Sequence, residues 1–286
     1  MKNWEQALAG ELERRWTLYR RALKHCQETF SERSIHSSRI EARRLAAQLD
    51  LHRVFAPRRK VEAAQVILRH HLHTFNPLRD AQVQLHLLKC ECDGMPGAKA
   101  IRKLTIKREK RCRRAAKRRM RKVKTRPIKS VIHVLVERLR EHGKDPEWMR
   151  LDRMTIIRTL ETAFTNVVEC RPPMQAADAA SIHRMRIAFK KFRYMMESTR
   201  PLLPGITPAR IAAMKAFQDL MGDLQDTDAF LARLDKLIAK KRLPAAKAAH
   251  LRRWLVRRQV HQVKRCVRRM DVMFKFSPQN FKVKKG

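Results

Sequence analysis

Apolar residues recur along this chain every three or four positions, the period of helices that bury one face, and no stretch alternates with the period of a half-buried strand. Trp4, Leu8, Leu12, Trp16, Tyr19 and Leu23 mark a first helix, Trp4 to Phe30. Ser34 is suited to cap a second, Ile35 to Phe55, which Pro57 stops. A third stretch, Arg59 to Cys92, is expected to break or kink at Asn76-Pro77, because proline has no N–H to donate and disfavours helix in the residue before it. Gly94, Pro96 and Gly97 then turn the chain into a helix from Lys99 to Lys124. A shorter helix, Ile128 to His142, ends at Gly143, and Lys144 to Pro146 reads as a connector. The second half follows the same plan. A helix from Trp148 to Cys170 breaks at Pro172-Pro173, and another from Ser181 to Thr199 is ended by Pro201 and Pro204. A Thr207-capped helix runs to Arg242, and a last one from the Leu243-Pro244 turn through Phe276. The pattern predicts an all-α protein in two halves, 1–145 and 146–286.

The stretch from Ser181 to Glu197 carries the clearest amphipathic signal. Ile182, Met185, Phe189, Phe192 and Met196 form an apolar stripe, and one position on from its members stand His183, Arg186, Lys190 and Arg193. A buried face edged by a straight row of cations makes a rail for a row of anions. The row has an earlier copy. Adding 147 to Ile35, His36, Arg39, Ile40, Arg43 and Arg44 gives Ile182, His183, Arg186, Ile187, Lys190 and Lys191. Adding 146 carries Leu78, Asp80 and Leu85 onto Leu224, Asp226 and Leu231. Two blocks in one order at nearly one offset predict two similar helical halves.

Charge decides what the rows are for. The 286 residues include 67 Lys plus Arg against 27 Asp plus Glu, a formal net charge of +40. So large an excess repels itself and exceeds what solubility needs, so a polyanionic partner is expected. With only 7 Gly and cations set among apolar residues at helical spacing, the charge rides on a folded scaffold rather than a disordered tail. Between Lys107 and Lys124 only Glu109 is acidic, and Arg108 and Arg119 fall on the apolar side of that helix, where they are expected to point into the molecule or a cleft. The N-terminus has no signal-type apolar run and nowhere do 18 apolar residues follow one another, which predicts a soluble, cytoplasmic protein with no membrane partner. Cys26, Cys90, Cys92, Cys112, Cys170 and Cys266 are scattered and read as reduced thiols. His86, Cys90 and Cys92 lack the spacing of a zinc site, so neither a metal nor a cofactor is expected.

His36-x-x-Arg39-x-x-x-Arg43-Arg44 and His183-x-x-Arg186-x-x-x-Lys190-Lys191-x-Arg193-Tyr194-x-x-Glu197, followed by Leu78-Arg79-Asp80 and Leu224-Gln225-Asp226, resemble the two halves of a CHAD domain, the conserved histidine α-helical domain. The resemblance covers nearly the whole chain. It implies two four-helix bundles related by a pseudo-twofold, a basic central cavity between them, and binding of inorganic polyphosphate without catalysis, with an association with polyphosphate granules. The site residues it implies are His36, Arg39, Arg43, Arg44, Arg79, His183, Arg186, Lys190, Lys191, Arg193 and Tyr194, joined by Arg108, Arg111 and Arg119 of the most basic helix. This chain departs from the pattern at Ala46, where the second half has Arg193, at Asn76, where a glycine is usual, and at Gln225, where an arginine is usual. The second half is therefore expected to make at least as many ligand contacts as the first.

Polyphosphate has no base edges, so recognition must come from charge and N–H donors. Arginine can fork two oxygens of one phosphate, and lysine acts as a mobile point charge. A sequence-tolerant nucleic-acid binder is the alternative reading of the same charge, but only 6% of residues are aromatic and Tyr194 alone stands beside the cation row, too few platforms for stacking bases. An enzyme is the least supported class: no Gly-rich phosphate loop and no paired catalytic carboxylates are evident, and Asp80 and Asp226 read as orienting groups. His36 and His183 serve equally well as structural hydrogen-bonders or as donors to phosphate.

Overall fold

The computed structural model describes residues 4–200, 203 and 205–278. Among them run nine α-helices: α1 (Trp4–Thr29), α2 (Glu32–Leu51), α3 (Arg58–Cys90), α4 (Ala98–Met120), α5 (Arg126–His142), α6 (Pro146–Glu169), α7 (Ala179–Thr199), α8 (Pro208–Ala239) and α9 (Ala245–Arg268). Short 3-10 turns occupy Arg53–Phe55, Met174–Ala176 and Met270–Phe276, and the described residues contain no strand. The all-α expectation holds.

Helix starts follow their caps. The Asp178 carboxylate accepts from Ser181 N at 2.7 Å while Ser181 Oγ accepts from Asp178 N at 3.0 Å, a reciprocal box that opens α7. Thr207 caps α8 as expected, accepting from Arg210 N. For α2 the expectation was three residues late: Ser31 is the cap, accepting from Ser34 N at 3.1 Å, and Ser34 is buried in the first turn. The same helix ends at Leu51, where His52 folds back to donate to Gln48 O from its own backbone N–H, and only a 3-10 turn continues to Phe55. Helix α3 runs unbroken through Pro77; both Pro77 and His73, whose carbonyl loses its partner, are exposed, so the freed group faces solvent. The last α-helix stops at Arg268 rather than Phe276. Pro201 and Pro204 lie outside the described residues.

Helices α1, α2, α3 and α5 pack together in the first half, with α4 folded back on α3; α6, α7, α8 and α9 pack in sequence in the second. Between the halves α1 meets α6, α2 meets α7, α3 meets α8 and α4 meets α9, and α6 also touches α2 and α5. Two apolar cores result, and each draws on both halves. The larger runs from Leu8 and Leu12 through Leu45, Leu68 and Phe189 to Phe276. The smaller binds Val83, Leu87 and Ile101 of the α3–α4 hairpin to Phe230, Leu234 and Leu251 of the α8–α9 hairpin. Gly97, at φ +82°, makes the α3–α4 turn, and a Cβ there would meet Lys247 O of α9 at 1.9 Å; only glycine serves both the left-handed backbone and this approach. Within the first half, His71 is fully buried between Tyr19 Oη (3.0 Å) and Ser38 Oγ (2.9 Å), so one ring ties α1, α2 and α3 and burial pushes its pKa down to about 3.

Candidate functional site

Where α2 packs on α7, the predicted cation rows face each other. The apolar stripe of α7 is fully committed to the core, with Ile182, Met185, Phe189, Phe192 and Met196 all at 0% exposure. That fixes the helix's rotation, and with it the row beside the stripe. His183, Arg186 and Lys190 lie half-buried along its edge. Neither His183 Nδ1 nor Arg186 Nε, both buried, has a hydrogen-bond partner. Lys190 makes no ion pair within the described residues. Desolvation first, then the positive field of Arg43 from α2 and of Arg186, Arg39 and Arg193, pushes its pKa down from 10.5 to about 7. His183 and Arg186 are lowered mainly by desolvation, and Arg43 adds to the effect on Arg186.

From the other half, Arg39 is buried, its guanidinium turned onto α3: Nη1 donates to Leu72 O at 3.1 Å, and both Nη atoms to Asn76 Oδ1 at 3.2 Å. Burial, with Arg43 and Arg79 nearby, lowers it to about 9. Arg39, Arg79 and the exposed His36 line a cavity of about 400 Å³ with Glu32 and Gln82. Arg43 is half-buried and enters no ion pair among the described residues. Arg108 donates to Gln84 Oε1 at 3.0 Å and so leans from α4 toward the same cleft.

Two carboxylates stand among these cations. Asp80 feels Arg108, Arg39 and Arg79, and Asp226 feels Arg79 and Arg186, yet desolvation dominates and raises both. Among the described residues neither comes within ion-pair distance of a cation, so they temper the positive field without neutralising it. The cleft gathers positive groups from α2, α3, α4, α7 and α8, with Arg39, Arg186 and Lys190 desolvated, an arrangement whose energy falls when an anion enters.

Other predicted residues are engaged within the protein. Arg44 bridges Glu41 (2.7 Å) and Glu197 (2.5 Å). Arg193 is buried, donates to Gln218 Oε1 at 3.0 Å, pairs with Glu197 at 3.3 Å and lies 4.2 Å over the ring of Tyr194, itself buried. Lys191 pairs with Asp50 at 2.8 Å. On α4, Arg111 and Arg119 are exposed. The inward expectation for Arg119 fails because the buried positions Ile101, Thr105, Ala116 and Met120 wind about 100° around the helix over its length, leaving residue 119 on the flank.

Sequence reasoning overlooked Arg233 of α8, a half-buried arginine whose pKa is lowered by burial and by the positive fields of Arg108, Arg111 and Arg242. It also missed the neutral anchors Gln84, Asn76 and Gln218, which position arginines and carry no charge signal. Among the described residues no group of three or more His, Cys, Asp or Glu could hold a metal ion; Cys90 Sγ lies 3.8 Å from His86 Nδ1, while Cys92 is buried in the smaller core. No helix among them is long and apolar enough to cross a membrane.

Comparison with known proteins gives a consistent result. A sequence model of the CHAD domain matches residues 14–235. The fold is similar to the crystal structure of the CHAD domain from the plant Ricinus communis, with a TM-score of 0.73 and 21% identity over 95% of this chain and 91% of that one. It is also similar to PptA from Streptomyces chartreusis, with a TM-score of 0.66 and 18% identity over 96% of this chain and 99% of that one. At these identities the likeness is one of fold. Comparison with curated proteins gave no match.

Proposed function

Because the chain belongs to the CHAD domain family, whose known property is polyphosphate binding, we propose that it binds inorganic polyphosphate in the cleft between α2 and α7, without catalysis. The observation that carries this reading is Lys190. A lysine so depleted of solvent, ringed by Arg43, Arg186, Arg39 and Arg193 and given no acidic partner, costs the ligand-free protein stability that an entering anion returns. Arg186 and Arg43 supply fork donors, Lys190 a point charge, and His183 a ring nitrogen to phosphoryl oxygens. Arg79, Arg108 and Arg233 extend the positive field along the cleft, so a linear polyanion threads it with charge neutralised phosphate by phosphate. A bound polymer would also carry the protein to polyphosphate granules.

Two carboxylates flanked by arginines, with donors all around, suit a template that holds a chain and leaves its anhydride bonds intact. The test is competition between long-chain polyphosphate and duplex DNA at equal charge and fixed ionic strength. Polyphosphate should win, and its affinity should fall with salt with a log–log slope of roughly −5 to −6 if about eight phosphates are neutralised. Preference for DNA would overturn the reading in favour of a sequence-tolerant nucleic-acid binder.

A further inference from the structure

The repeat places Arg39 opposite Arg186 and Asn76 opposite Gly222, and the two arginines are in different states. In the first half, Asn76 Oδ1 accepts from both Nη atoms of Arg39 at 3.2 Å, and Leu72 O takes a further bond from Nη1. The fork that would grip a phosphate is folded onto the protein. In the second half, position 222 has no side chain. A Cβ built there would lie 3.2 Å from Arg186 Nη2 and 3.5 Å from Nε, so the guanidinium lies against the bare backbone of α8, and its buried Nε has no partner. One turn before it is the equally unpartnered His183 Nδ1, and one turn after it is Lys190. Residues 183, 186 and 190 share one face over about 10 Å of helix axis.

We infer that the cleft holds one primary phosphoryl subsite, on His183, Arg186 and Lys190, for a short linear oligophosphate such as tripolyphosphate, and that Asn76 and Gly222 set this asymmetry by capturing Arg39 and leaving Arg186 free. The inference rests on the polyphosphate reading. Arg43 and Arg79 then act from across the cleft, while the first half has no preformed fork at Arg39, the position that matches Arg186. A symmetric cleft would take two short oligophosphates per chain; this one takes one tightly.

Exchanging the two side chains tests it, with tripolyphosphate and long-chain polyphosphate titrated calorimetrically into the full chain. Wild type should bind one tripolyphosphate. Gly222→Asn, which sets an amide acceptor beside Arg186, should weaken binding at least about tenfold, and Gly222→Ala, which adds bulk without an acceptor, should weaken it less. Asn76→Gly, which releases Arg39, should raise affinity several-fold or add a second binding event. Should Gly222→Asn fail to fold, Asn76→Gly decides alone: gain supports the inference and no gain overturns it. If the exchanges leave binding unchanged while long-chain polyphosphate still binds, the asymmetry is wrong and the polyphosphate reading stands. If wild type binds neither phosphate, both fall.

Discussion

Arg43 and Arg44 are neighbours on α2, and Lys190 and Arg193 lie one turn apart on α7, yet they belong to two different regions. Arg44 and Arg193 enter a partly buried network in which Glu41 and Glu197 are shared with Arg15 of α1, and Arg15 is held in turn by Glu11 at 2.7 Å. Arg43 and Lys190 stand in the cleft and form no ion pair among the described residues. The difference teaches that the number of cations does not locate a polyanion site. What locates it is the distribution of the scarce acids: the fold places Glu11, Glu41 and Glu197 where α1, α2 and α7 must be held together, and withholds them from the neighbouring turn.

Removing cleft charge should have the largest effect. Arg43→Gln, Arg186→Gln and Lys190→Gln combined should reduce polyphosphate affinity roughly a thousandfold, since each charged hydrogen bond contributes about 1.5 kcal/mol or more. The melting temperature should hold or rise, because like charges are relieved. Retained affinity would move the site to the exposed face of α4. Glu197→Gln should do the reverse: it strips three arginines of a shared partner and should cost about 3 kcal/mol in denaturant unfolding, with the dissociation constant changed less than about threefold.

A smaller effect comes from pH. In the ligand-free protein Lys190 titrates near 7 against 10.5 unfolded, so the unfolded chain holds the extra proton between those values. Stability without ligand should therefore rise with pH from about 7 to 10.5, and bound phosphate should restore the proton. Calorimetry at pH 8 in buffers of different ionisation enthalpy should show proton uptake on binding, and Lys190→Arg, which keeps the charge, should lose most of that uptake while still binding. The smallest effect should come from Lys191→Ala: its pair with Asp50 is half-exposed, so stability should change by less than about 1 kcal/mol and affinity by less than about twofold.

Helix type was legible in the sequence because periodicity is local. The α7 stripe, the cap at Thr207 and the turn at Gly97 depend only on neighbours in the chain. The cation rows were legible for the same reason. What a single row could not reveal was the fate of each cation, because its partner comes from another helix: Glu197 reaches Arg44, Asp50 reaches Lys191, and Gln218 reaches Arg193. Arg233 was invisible because it belongs to no row and matters only through the approach of α4. Arg119 was misread because a straight 100° wheel ignores the winding of a buried seam.

The two cores bear on how such a chain comes together. Each is built from both halves, and the link between the halves is only the three residues between His142 and Pro146, pinned by the stacking of His142 on Trp148 at 4.5 Å and its bond to Asp152 at 3.0 Å. Such sharing predicts that neither half folds alone, as with the protomers of an obligate dimer. The short tether replaces a bimolecular encounter with an effective concentration in the millimolar range, and each half reaches its partner before its apolar faces meet another molecule.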